Sequence, residues 1–69
     1  MRLSARNQLK GKVKSITEGA VNSEVVIELP GGQEIVSIIT KSSCAGLGLK
    51  AGSTAYAIIK ASSVMVGVD

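Results

Sequence analysis

Cys44 is the only cysteine in a chain of 69 residues that contains no histidine. Small size combined with missing cross-link chemistry constrains the fold more than any motif does. A domain of this size buries only about 60% of the surface its unfolded chain exposes. Domains near that limit are reinforced by disulfides, a structural metal or association between copies. One thiol forms no intrachain disulfide, and without histidine a structural zinc site lacks a ligand set. Association remains. The apolar inventory agrees: hydrophobic residues make up 45% of the chain, yet Phe and Trp are absent and Tyr56 is the lone aromatic. A core of Val, Ile, Leu and Ala gains roughly 1.5–3 kcal/mol per fully buried Val or Ile. Each ordered residue costs about 1–2 kcal/mol in backbone entropy. The composition therefore predicts a homo-oligomer.

The N-terminus, Met1-Arg2-Leu3-Ser4-Ala5-Arg6, has no apolar stretch after its charges of the kind a secretory signal needs. The apolar runs fall far short of the ~18 residues of a membrane span. A cytoplasmic protein with no membrane partner is the expectation. The formal charge is +3, and Arg2, Arg6, Lys10, Lys12 and Lys14 are concentrated in the first fifth of the chain. Such a cluster favours an anionic partner, although Lys10, Lys12 and Lys14 are also what a solvated strand face looks like.

Turn signals at Gly19, Pro30-Gly31-Gly32, Gly46 with Gly48, and Lys50-Ala51-Gly52 divide the chain into short β-branched segments with period-two alternation. Leu9, Gly11 and Val13 oppose Lys10, Lys12 and Lys14 until Ile16 breaks the pattern, which predicts a bulge or bend. Val21, Ser23, Val25, Ile27 and Leu29 share one face of a second strand. From Glu34 to Thr40, Ile35 and Ile39 face one way while Val36 and Ile38 face the other. A strand apolar on both sides needs cover on both, and a neighbouring subunit is the economical source. Ser42 or Ser43 is placed to cap one helical turn, in which Cys44 is a small buried hydrophobe. Thr54 to Lys60 reads as a fourth strand, and Val64, Val66 and Val68 as a fifth. The predicted fold is therefore all-β: one domain over residues 1–69, a small five-stranded OB-like barrel with a short helical turn between strands 3 and 4.

Without histidine the usual general base is missing, and no carboxylate pair stands apart from ordinary surface. An enzyme is not expected. Oxyanion binding has better material, because a tetrahedral dianion needs converging N–H and O–H donors with fixed positive charge. Ser4-Ala5-Arg6, Thr40-Lys41-Ser42-Ser43 and Lys60-Ala61-Ser62-Ser63 all supply such groups at strand ends. From spacing alone, ordinary turn chemistry is the commoner explanation of the same residues.

Two stretches carry a resemblance. Ser4 through Val13 (Ser-Ala-Arg-Asn-Gln-Leu-Lys-Gly-Lys-Val) and Ala57 through Val66 (Ala-Ile-Ile-Lys-Ala-Ser-Ser-Val-Met-Val) closely resemble the molbindin (Mop) family, whose domain also occurs in a molybdate-responsive regulator and in transporter ATPase subunits. Gly19 through Val25 is similar to the family's first turn, and Ser43 through Gly52 to its connection. The resemblance implies an OB-like, TOBE-type fold, a hexamer built as a trimer of dimers, and molybdate or tungstate held as the oxyanion between subunits, with no other cofactor and no directly bound metal. It assigns one site to Ser4, Ala5 and Arg6 of one subunit with Lys60, Ala61 and Ser62 of another, joined by Thr40 and Ser43. A second site, near three-fold axes, falls on Gly19, Ala20, Val21 and Asn22. The implied role is reversible storage, buffering or homeostasis of the oxyanion. Relatives often carry acidic residues where Lys41 through Gly46 is neutral to basic. The competing reading is an OB-type nucleic-acid-binding module, but such modules stack bases on aromatic platforms, and Tyr56 alone makes a poor one.

Overall fold

The computed structural model describes residues 1–69. It contains β1 (Asn7–Glu18), β2 (Asn22–Glu28), β3 (Glu34–Thr40), the helix α1 (Lys41–Gly46) and β4 (Thr54–Ile59), followed by a 3-10 turn at Ala61–Ser63. The strands form one antiparallel sheet in the order β3-β2-β1-β4. The long β1 organises it. Its first half pairs with β4, from Asn7↔Ile59 to Lys12↔Thr54, and its second half with β2, from Lys12↔Glu28 to Glu18↔Ser23. The register shifts between Val13 and Ser15, just before the Ile16 irregularity, and the extra residue bends β1 there. The sheet curls around the core as a half-barrel.

The alternation reads out as burial. Val13, Val25, Ile27 and Ala57 are buried on the inner face with Cys44 from α1, while Ile16, Leu29, Ile35, Ile39, Leu49 and Ala55 pack around them. Val21 departs from its expected face and is 71% exposed, because β2 begins only at Asn22. The helix starts two to three residues earlier than a cap at Ser42 or Ser43 would place it. Thr40 is the N-cap, its Oγ1 accepting from the Ser43 amide at 3.0 Å and donating to Ser43 Oγ at 2.7 Å.

Two expectations are corrected. There are four strands, since Val64, Val66 and Val68 follow the 3-10 turn as extended chain, 50%, 91% and 95% exposed. A strand exists only through a partner's backbone, and this segment meets none in its own chain. The sheet also does not close into a barrel: β3 and β4 are its two edges and share no ladder. Between them lies an apolar gap of about 380 Å³ lined by Val25, Ile27, Ile39, Leu49, Tyr56 and Ile58, among others. Only seven of 69 residues are buried, and the radius of gyration of 12.6 Å exceeds the roughly 11 Å of a compact chain this long.

Candidate functional site

The antiparallel register of β1 and β4 does most of the positioning. Asn7 lies opposite Ile59, and the Asn7 side-chain amide donates to the Ile59 carbonyl at 3.2 Å. Gln8 Nε2 donates to the Ala5 carbonyl at 2.9 Å and draws the preceding segment back against the strand. Chain leaving β4 at Lys60 therefore emerges beside chain entering β1 at Arg6. The 3-10 turn is closed by the Ser63 amide donating to the Lys60 carbonyl at 2.8 Å. The first amides of such a turn have no partner within it.

The result is one open hollow of about 480 Å³, lined by Ser4, Ala5, Arg6, Lys60, Ala61 and Ser62. Two cationic side chains and two hydroxyls face it, and no carboxylate does. All six residues except the half-buried Ala5 are exposed. The arrangement offers a tetrahedral anion fixed charge and O–H donors. An open hollow, however, leaves the charges in water, where each is worth little. The two segments meet within a single chain. The resemblance divides them between two subunits, but the Asn7↔Ile59 pairing already brings them together.

Thr40 and Ser43 lie elsewhere. Thr40 is opposite Asn22 on β2, at the far end of β1 from Arg6, and its hydroxyl is engaged in capping α1. Within one chain they do not join the hollow. They neighbour the second candidate set instead. The turn Gly19–Asn22 is closed by the Gly19 amide donating to the Asn22 carbonyl at 2.7 Å, and Val21 accepts from the Lys41 amide at 2.8 Å. Gly19, Ala20, Val21 and Asn22 are all exposed. The basic first fifth is partly neutralised, because Lys14 pairs with Glu34; Lys12 Nζ reaches only the neutral Thr54 Oγ1, at 3.5 Å. The Lys14 ammonium is held above its ordinary value, first by the hydrogen bond to Glu34 and then by that carboxylate's charge.

Asn7 and Gln8, which hold the hollow's two segments together, were not singled out from the sequence. Their role depends on a register that no local signal announces. The other unanticipated feature is the apolar gap. No helix is long and apolar enough to cross a membrane.

A half-barrel with a cationic, hydroxyl-lined hollow at the meeting point of its first and last strands is the class that the fold defines. A family model described as the TOBE domain matches residues 3–66. A Haemophilus influenzae protein named "Probable molybdenum-pterin-binding protein" is 54% identical over 69 residues, the whole of both chains. MopII of Clostridium pasteurianum superposes with a TM-score of 0.92 at 46% identity, over 97% of this chain and 100% of that one. The cytoplasmic molybdate-binding protein ModG, solved with molybdate bound, gives 0.95 at 58% identity; all of this chain corresponds to 49% of that longer chain. The chain belongs to the TOBE-domain family and, within it, to the molbindins.

Proposed function

We propose that this protein binds molybdate or tungstate as the intact oxyanion, at sites shared between copies of a homo-oligomer, and holds it reversibly as a cytoplasmic store or buffer. The observation that carries the reading is the hollow, where six of the eight residues that the family resemblance assigns to the first site come together with no carboxylate among them. The molybdate bound by ModG is the same cargo, and the molybdenum-pterin named for the Haemophilus relative shares its metal. No bond is made or broken, and no catalytic group is needed.

Oligomerisation follows from what one chain leaves undone. Burying a dianion is costly unless it is paired and hydrogen-bonded, so the hollow works best when a second surface excludes water from it. Thr40 and Ser43, too far away within one chain, are available from another copy, and the turn Gly19–Asn22 supplies the second set. The edges of β3 and β4 are unpaired, and Val64, Val66 and Val68 form an apolar alternation with nothing to cover it. The tail of a second copy laid along the gap is the fifth strand of a closed OB-like barrel. A trimer of such dimers is the hexamer that the family resemblance implies. Oxyanion binding then stabilises the assembly by mass action, about 2.7 kcal/mol per site at 100 times the dissociation constant.

The test is titration calorimetry of anion-stripped protein with molybdate and tungstate, with sulfate and phosphate as controls, alongside sedimentation to count copies. Saturable molybdate or tungstate binding with much weaker sulfate and phosphate supports the reading. A folded, oligomeric protein giving no molybdate or tungstate heat refutes it.

A further inference from the structure

β1 changes partner at Lys12, the residue that pairs both with Thr54 at the start of β4 and with Glu28 at the end of β2. The handover leaves a notch beside β1, because neither neighbour runs on past it: β4 begins at Thr54, and the chain has left β2 for a turn by Pro30. The notch measures about 290 Å³ and is lined by Lys10, Gly11, Lys12, Pro30 and Thr54, with no carboxylate among them. Gly11 is buried and forms the floor; the other four are exposed and form the rim. Lys10 and Lys12 are two positions apart on a strand, so their side chains share a face. Lys12 Nζ lies 3.5 Å from Thr54 Oγ1, which brings an ammonium and a hydroxyl together. Neither lysine has a carboxylate partner. The two ion pairs of the chain are Lys14 with Glu34 and Lys41 with Glu18, and Glu28, although opposite Lys12 in the ladder, makes none with it.

We infer that this notch is an anion site in its own right, separate from the oxyanion hollow, and that it takes the phosphoryl dianion of inorganic phosphate or of a small phosphomonoester. Two unpaired ammoniums and a hydroxyl are the donors such a group needs. Pro30 adds a wall whose backbone is fixed by its ring. The volume is near the lower end of small-molecule clefts, which start at roughly 300 Å³, so a phosphoryl group enters with a short ester arm and little more. No Val, Ile, Leu or aromatic side chain lines the notch, and charge carries the recognition. Lys10 and Lys12 stand four and six positions beyond Arg6, about 13–20 Å along an extended strand, too far for one anion to engage both places. Because the rim is in water, binding is weak and sensitive to salt. The inference stands whether or not the hollow holds molybdate.

Amide chemical shifts of the full-length protein, followed by NMR with stoichiometric molybdate already added, test it. Inorganic phosphate and glycerol phosphate are titrated at constant ionic strength, with chloride as the control. Saturable shifts at Gly11, Lys12 and Thr54 are expected, with a dissociation constant of about 1 mM; the tighter of the two ligands shows whether the free ion or the ester is the better occupant. Lys10→Gln and Lys12→Gln each weaken that binding about three- to tenfold. Lys41→Gln removes the same net charge at the far end of β1, beside Glu18, and changes it less than about twofold. Molybdate affinity of the Lys10 and Lys12 variants stays within about twofold of the parent, as distant sites do. The inference is overturned by shifts that do not saturate at the notch, by chloride reproducing them, or by Lys41→Gln weakening binding as much as Lys10→Gln. Shifts confined to Ser4–Arg6 and Lys60–Ser62 overturn it too, since phosphate then only competes for the hollow. A protein that takes phosphate at the notch but no molybdate refutes the storage reading and leaves the notch standing.

Discussion

Replacing Gly11 by alanine adds a methyl group where β1 passes over the end of β2, and the structure fixes what that methyl meets. An added Cβ lies 2.4 Å from the Glu28 carbonyl oxygen, 2.8 Å from Ile27 Cγ2 and 3.1 Å from the Glu28 carbonyl carbon. Two of these are backbone atoms and cannot rotate aside. Gly11 does not occupy a positive φ, so alanine gains about 0.4–1 kcal/mol by restricting the unfolded chain. Overpacking against a fixed neighbour costs about 1–3 kcal/mol. The net loss is about 1–2 kcal/mol, a fall in Tm of about 4–16 °C at 4–8 °C per kcal/mol for a domain this small. Gly46, at the end of α1, has nothing within 4 Å of an added Cβ and no positive φ. Gly46→Ala should therefore gain about 0.5 kcal/mol from helix propensity. Thermal and urea melts followed by circular dichroism at one fixed protein concentration compare the two. Gly11 also sits where β1 is pairing with β4, so its alanine variant should weaken oxyanion binding as well. A Gly11→Ala protein as stable as the parent refutes the close-crossing account.

Arg6→Ala removes one of the hollow's two fixed charges and should weaken molybdate binding by about 10- to 100-fold, the loss of a charged hydrogen bond; unchanged calorimetric affinity would place the anion elsewhere. Ser23 is 1% exposed and its Oγ has no partner, so Ser23→Ala should leave stability unchanged or raise it by about 1 kcal/mol, and a marked drop in Tm would reveal a hidden bond. The Lys14–Glu34 pair predicts an alkaline limit. The folded-state value of Lys14 lies above its ordinary 10.5, so the pair's stabilisation is fully present below 10.5 and is lost as pH rises through the higher folded value. The stability difference between the parent and Glu34→Gln, followed by denaturant melts, should be flat near neutrality and vanish at strongly alkaline pH.

Local pattern accounts for the strand faces. Val25 and Ile27 inside with Glu24 and Glu28 outside, or Ala55 and Ala57 inside with Thr54 and Tyr56 outside, are period-two statements that need no long-range knowledge. So is the bend before Ile16, where alternation fails. The capping residue was missed because Thr40, Ser42 and Ser43 are chemically interchangeable as caps, and only the exit angle of β3 decides among them. The tail misled for a different reason. Alternation in Val64, Val66 and Val68 reports that a segment needs covering, not that its own chain covers it. The hollow lay furthest out of reach. Arg6 and Lys60 are far apart in sequence, and only the Asn7↔Ile59 pairing makes them neighbours. Family resemblance named the residues, and strand register explains how one chain assembles six of them.

That register also sets the order in which the molecule is built. β1, β2 and β3 follow one another through short turns, whereas Asn7 and Ile59 are 52 positions apart. Closing a long loop must precede any gain from the contacts it brings, so pairings of this kind form late and slow the folding of the whole. A nascent chain can therefore complete its three-strand meander while the strand that defines the hollow is still being synthesised. The hollow should therefore form last in folding, and amide exchange along the β1–β4 ladder should outpace exchange along β1–β2.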